Sequence, residues 1–215
     1  MSNISYHLTE MEIAKNGDDT RNILPVLHQN DDVVLDIGCR IGQTFVALNC
    51  LNRRCIGVDI DPEAINYGKK LYGDNIEFHL SSAEKLPVES ESCNLVICRV
   101  SLPYTNIPRV LREIKRVLKP NGRVWLTIHD LTLAKSYFLD AWRKDANWKR
   151  KLHVIYILLN GYSLKVFGKV FPFINGKYES WQDYNALIKL LYKENLNAKI
   201  LDNNSLKYIE AKKVV

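Results

Sequence analysis

The residues best suited to chemistry lie in Val33-Val-Leu-Asp36-Ile-Gly38-Cys-Arg40-Ile-Gly42-Gln-Thr44, where an apolar run carries an acid and then two glycines four apart. Read as a strand and turn, this segment sets Asp36, Gly38 and Gly42 at the carboxyl end of a sheet, where such sheets bind ligands. Glycine lets the backbone approach a ligand closely, but a Gly-rich turn alone is a weak signal. The acid narrows the chemistry. A carboxylate beside the turn repels a dinucleotide pyrophosphate and attracts ammonium or sulfonium charge, which S-adenosylmethionine (SAM) carries. Asp59 ends the next apolar run, 17 residues beyond Gly42, where a carboxylate can accept both hydrogen bonds of a ribose diol. The alternative is that Asp59 and Asp61 cap the following helix, a reading that fits Asp61 better because Pro62 follows it.

The elements that must hold these groups follow from periodicity. Asp32–Ile37 and Cys55–Asp59 read as buried strands, with a helix over Thr44–Leu51 and another marked by Ile65, Gly68 and Leu71/Tyr72. Ile76–Leu80 and Leu95–Cys98 supply further strands. Val110, Leu111, Ile114, Val117 and Leu118 mark one helix face, ended by Lys119-Pro-Asn-Gly122, and Arg123–Ile128 is a fifth strand. The alternation predicts a parallel sheet with helices on both faces. Residues 131–178, basic and aromatic, break the pattern and read as an inserted helical cap. Ser180-Trp-Gln-Asp183 resembles a capping box opening a helix through Leu191. Ala198–Leu201 and Leu206–Ala211 predict a closing antiparallel hairpin.

In order, Asp36-Ile-Gly38, Gly42, Gly57-Val-Asp59, Ser82-Ala-Glu-Lys-Leu-Pro87, Asn94-Leu-Val-Ile97 and Arg116-Val-Leu-Lys-Pro-Asn-Gly122 resemble the motifs of class I SAM-dependent methyltransferases, with a flavour of the branch that methylates quinones and other natural products. The resemblance covers roughly residues 32–128, with a weaker echo in the final helix and hairpin. It implies a Rossmann-like α/β fold: a seven-stranded methyltransferase sheet, helices on both faces, a C-terminal antiparallel hairpin and the helical cap. It implies SAM as methyl donor, with S-adenosylhomocysteine (SAH) as product. Asp36, Gly38 and Gly42 would hold the methionine end, Asp59 the ribose, Ile60 one side of the adenine ring, and Ser82 and Ala83 the adenine edge. Arg40 stands where the family generally has glycine, and Ser82 and Asn94 stand where aspartate is common. Arg40 is expected to turn outward, to pair with the SAM carboxylate, or to obstruct the site.

A base is needed only where the acceptor must lose a proton. Tyr104 and His129 are the best-placed candidates, with Asp130, Tyr6 and His7 behind them, although each also reads as a surface or packing residue. The aromatics between Trp142 and Phe173 either shape an acceptor pocket, touch anionic lipid, or pack on the domain while the lysines stay solvated.

Composition bounds the rest. The 215 residues suit one domain, 1–215, with residues 1–30 as a leader over the active site and 131–178 as the cap. The net charge is +6, and residues 131–175 alone hold eight basic and two acidic side chains, so the remainder is near neutral and nucleic acid is not expected as a partner. Five cysteines without CxxC pairs read as reduced core thiols, and no metal site is expected. The polar first residues and the absence of a membrane-length apolar run point to the cytoplasm, with at most weak membrane contact through 142–173. The sequence therefore predicts methyl transfer to O, N or C of a small, partly apolar molecule. The alternatives are a catalytically inactive SAM/SAH-binding protein and, behind it, a nicotinamide-dependent oxidoreductase.

Overall fold

A computed structural model describes residues 9, 11–12, 23–144, 147–203 and 206–214. Tyr6 and His7, and most of the leader, lie outside them.

Seven strands form one sheet: β1 (Val33–Ile37), β2 (Arg54–Asp59), β3 (Ile76–Leu80), β4 (Cys93–Cys98), β5 (Leu118–Leu126), β6 (Leu196–Asn203) and β7 (Leu206–Lys213). Their spatial order is β3-β2-β1-β4-β5-β7-β6. The first five are parallel, and β7 pairs antiparallel with both β5 and β6. The chain builds outward from β1 in one direction, then returns to build β4 and β5 in the other. The crevice at this reversal, between β1 and β4, is where such sheets bind ligands.

Alternation along the strands divides the core between the two sheet faces. Leu35, Ile37, Val96, Cys98, Val124 and Leu126 belong to one buried cluster, with Ile107, Val110, Leu111 and Ile114 of α3 (Ile107–Val117) and Leu187 and Leu191 of α6 (Tyr184–Lys193). Val34, Cys55, Leu95, Ile97 and Trp125 form the other, with Phe45 of α1 (Gln43–Ala47) and Ile65 of α2 (Pro62–Tyr72). All five cysteines are free and buried.

Local chemistry sets the helix ends. The Asp61 carboxylate accepts the Glu63 and Ala64 N–H groups with Pro62 in the first turn, so Asp61 is a helix cap. Asn106 caps α3, where Pro108 also occupies the first turn.

The expected helix start at Ser180 falls at Asp183 instead, whose side chain accepts from Ala186 N–H. Ser180–Gln182 is held outside the helix. Ser180 N–H donates to the Pro103 carbonyl (3.0 Å), Gln182 N–H to the His129 carbonyl (2.7 Å), and Trp181 Nε1–H to the Leu158 carbonyl (3.0 Å). The third helix stops at Val117 because Leu118 turns extended to open β5. Residues 131–178 contain α4 (Leu131–Arg143) and α5 (Trp148–Phe167), packed on each other, followed by an irregular return.

Candidate functional site

At the carboxyl end of β1 the backbone turns sharply. Gly38 has φ +78°, and a β-carbon there would stand 2.5 Å from Ser101 Cβ, so only glycine fits without displacement. Ser101 Oγ donates to the Ile37 carbonyl at 2.6 Å, tying the end of β1 to the loop after β4. Gly38 and Cys39 N–H groups both donate to the Val58 carbonyl (2.8 and 3.1 Å), which ties the same turn to β2.

Asp59 completes the junction. Its Oδ2 accepts the Arg40 N–H at 2.8 Å and its Oδ1 the Asp61 N–H at 2.9 Å. One carboxylate thus fixes the loops after β1 and β2. Each oxygen can accept a second bond, so capacity for two hydroxyl donors remains.

Asp36 lies beneath this floor, 1% exposed. Burial pushes its carboxyl up to about 7, opposed by a hydrogen bond from Thr44 and the charges of Arg99 and Arg40. Its Oδ2 has no hydrogen-bond partner among the described residues. A buried acceptor of this kind costs free energy unless a donor or a proton reaches it. An ammonium group would satisfy it.

A cavity of about 300 Å³ opens above these groups, with walls from the carboxyl ends of four strands. Gly38 and Arg40 come from β1, Asp59 and Ile60 from β2, Ser82 and Ala83 from β3, and Arg99, Ser101 and Tyr104 from β4. The structure therefore gathers six of the eight expected cofactor residues on one cavity. Asp36 and Gly42 lie outside its lining. Gly42, at φ +89°, ends the turn before α1, and a β-carbon there would meet Phe78 and Ile76. Arg40 occupies the left-handed region at φ +50°, a conformation that glycine adopts without the cost of roughly 1–2 kcal/mol paid by other residues.

Ile60, Ser82, Glu84 and Tyr104 also line a second chamber of about 750 Å³, whose far wall is the return after α5, including Asn175 and Tyr178, together with His153. Tyr104 thus stands between two spaces, one at the strand ends and one under the cap. His129 lies outside the lining of both. Its ring packs edge-on against Tyr104 with centroids 5.7 Å apart, and burial holds its imidazole below the usual range.

The sequence reading missed three contributors. Glu84 lines both spaces, accepts Ser82 Oγ–H and accepts the Asn106 N–H at 2.7 Å. Glu84 lies within the motif Ser82–Pro87, so the motif held the signal. Ser101 and Val100 belong to a loop without periodicity. Val100 sits at φ +62° with its N–H donating to Thr127 Oγ1 at 2.9 Å, an uncommon conformation for a β-branched residue and one that accumulates at functional sites.

A family model described as a methyltransferase domain matches residues 35–126. The uncharacterized methyltransferase YcgJ of Bacillus subtilis is 33% identical over 101 residues, 45% of this chain and 40% of that protein. MJ1252, an uncharacterized protein of Methanocaldococcus jannaschii, is 30% identical over 159 residues, 71% of this chain and 61% of its own. A SAM-dependent methyltransferase structure from Methanosarcina mazei shares the fold, with TM-score 0.56 and 21% identity over 87% of this chain and 95% of that one. The matched regions span 40%, 50% and 41% of three curated relatives, so the chain spans about half their length or less.

Proposed function

Because residues 35–126 carry this chain into the class I SAM-dependent methyltransferase family, we propose that it transfers a methyl group from SAM to a small molecule held beneath the 131–178 cap. The observation that carries this reading is the pair of adjoining spaces, one at the β1–β4 strand ends above Asp36 and Asp59, the other under the cap, with Tyr104 on the wall of both.

The residues fit the cofactor by charge and capacity. Asp59 keeps acceptor capacity for the two ribose hydroxyls, and the unpartnered Asp36 Oδ2 beneath the cavity would accept from an ammonium group. Ser82 and Ala83 would meet the adenine edge, and Ile60, 73% exposed on the cavity wall, would cover one face of the ring. Gly38 lets the backbone approach the methionine end. Arg40, on the cavity wall, would supply the guanidinium to pair with the cofactor carboxylate. When bound, SAM supplies an already activated methyl group on a sulfonium.

What remains for the protein is positioning, which contributes up to roughly 7–11 kcal/mol in well-oriented systems. Tyr104, on the wall of both spaces, would orient the acceptor. His129 packs edge-on against Tyr104 and backs it as a positioning residue.

The test is a mass-spectrometric search of a metabolite extract incubated with the chain and methyl-labelled SAM. The reading predicts a small molecule that gains one labelled methyl group only when both are present. Labelled protein or nucleic acid, with no labelled small molecule, would overturn it.

A further inference from the structure

Helix α5 (Trp148–Phe167) carries two apolar stripes. Val154, Ile157, Gly161 and Leu164 are buried and face the domain. On the opposite side, Trp148, Leu152, Ile155, Leu159, Tyr162 and Val166 recur at alternating steps of four and three residues, which stacks them along one line of a helix. All six are exposed, from 37% at Ile155 to 68% at Trp148. Phe167, which ends the helix, and Phe171 and Ile174 in the segment after it are also exposed, at 72%, 58% and 87%. A contiguous apolar surface of this length marks an interaction site rather than ordinary surface scatter.

The charge beside the stripe narrows the occupant. Helix α5 contains Lys149, Arg150, Lys151 and Lys165 and no acidic residue. Arg150 falls on the row of Val154, Ile157 and Gly161 rather than beside the stripe, and of the flanking Arg143, Lys144 and Lys169, Lys144 pairs with an acid, Asp140 at 2.9 Å. Lys149 and Lys151 lie over the Trp148 and Trp142 rings at 5.9 and 5.7 Å, their stems along apolar surface. Lys165 pairs with Asp183 at 3.0 Å.

A second copy of the chain packed on this face would set these cations against one another. Helices in register oppose Lys149, Arg150 and Lys151 to themselves, and antiparallel helices oppose them to Lys165 and Lys169. The helix supplies no acid to offset either arrangement. An anionic lipid surface supplies both partners at once, hydrocarbon for the stripe and phosphate for the flanking cations. Among the described residues no helix is long and apolar enough to cross a membrane, so this one would lie in the interface.

We propose that the outer face of α5, with the adjoining Phe167–Ile174 segment, docks this protein on an anionic membrane surface. The proposal is independent of methyl transfer. It sets the cap, and the chamber behind it, against the bilayer.

The test is co-sedimentation of the full chain with vesicles of phosphatidylcholine alone or mixed with phosphatidylglycerol. The expected result is binding to the mixed vesicles that weakens as salt is raised, and little binding to phosphatidylcholine alone. The triple substitution Leu152→Ser, Leu159→Ser and Val166→Ser should lower the partition by roughly tenfold or more, with thermal unfolding close to wild type because all three side chains are exposed. Replacing Lys149, Arg150 and Lys151 with Gln should abolish the preference for anionic lipid while leaving the fold intact. Three outcomes would overturn the proposal. The folded chain could fail to sediment with mixed vesicles, it could bind both vesicle types equally, or it could form a dimer that the triple substitution dissolves without any vesicle binding.

Discussion

Replacing Asp59 with Ala separates two jobs that one carboxylate performs. In the folded protein its oxygens accept the Arg40 and Asp61 N–H groups at 2.8 and 2.9 Å. Hydrogen bonds to a charged group contribute about 1.5–3 kcal/mol each when buried. Both donors here are partly open to water, which can replace part of that, so the expected loss of stability is about 2 kcal/mol. For a chain of this size that lowers the melting temperature by roughly 4–8 °C. The proposed ribose contacts add a second loss that appears only in binding. Two hydroxyl-to-carboxylate bonds, taken even at half the lower value each, sum to about 1.5 kcal/mol, or roughly tenfold in affinity. Calorimetric titration of SAH into wild type and Asp59→Ala, performed well below both melting temperatures, measures that loss directly. A weakening of at least roughly tenfold is expected. Equal affinity in a folded mutant would refute the ribose assignment, whatever happened to the melting temperature. Asp59→Asn sharpens the test, because its amide can accept at one position only and must point N–H donors at one of the two backbone N–H groups or at the ribose.

Three further outcomes follow from the same geometry. Burial holds the Asp36 carboxyl at about 7 in the free protein, well above its unfolded value of 3.8, so stability should fall as pH rises between those values, because the folded state retains the proton longer. A cationic ligand favours the ionised form, so SAH affinity should rise with pH up to about 7, by at most about tenfold per pH unit, with proton release measurable in buffers of different ionisation enthalpy; pH-independent affinity below 7 would contradict a contact between Asp36 and the ligand. Arg40→Gly should weaken SAH binding if the guanidinium pairs with the cofactor carboxylate, and tighter binding by calorimetry would instead identify the side chain as an obstruction. Gly161→Ala should lower stability by about 1–3 kcal/mol or more, read by thermal unfolding, because the added carbon would run into the ring of Trp181, itself 2% exposed; an unchanged melting temperature would mean that α5 does not pack closely on Trp181.

Much of the sheet was legible because parallel strands buried on both faces read as near-continuous apolar runs, as in Val33–Leu35 and Leu95–Cys98. Asp61 was legible as a cap because Pro62 can follow only in a first turn. The strand ends were legible too, and Gly38, Asp59, Ser82 and Tyr104 meet at one cavity because a doubly wound sheet brings the carboxyl ends of its strands together. The loops were less so. Glu84 matters through a backbone N–H 22 residues away in sequence, and Val100 through a backbone angle, neither of which composition encodes. The true start of α6 was hidden because Ser180 and Asp183 are both good capping residues. Only tertiary bonds from Ser180, Trp181 and Gln182 to other segments exclude the earlier one. The two apolar stripes of α5 were not read from the sequence, where residues 131–178 stood out only as a basic, aromatic insertion.

The central claim is that the cavity spanned by Gly38, Asp59 and Ser82 is built for SAM, and calorimetric titration of the purified chain with SAM, SAH and NAD in parallel tests it most directly. Saturable binding of SAM and SAH at one site per chain is predicted, near micromolar affinity or about −8 kcal/mol, with no detectable binding of NAD, whose pyrophosphate would face the Asp59 carboxylate on the cavity wall. Binding of NAD in place of SAM, or no binding of SAM or SAH by the folded chain, would contradict it.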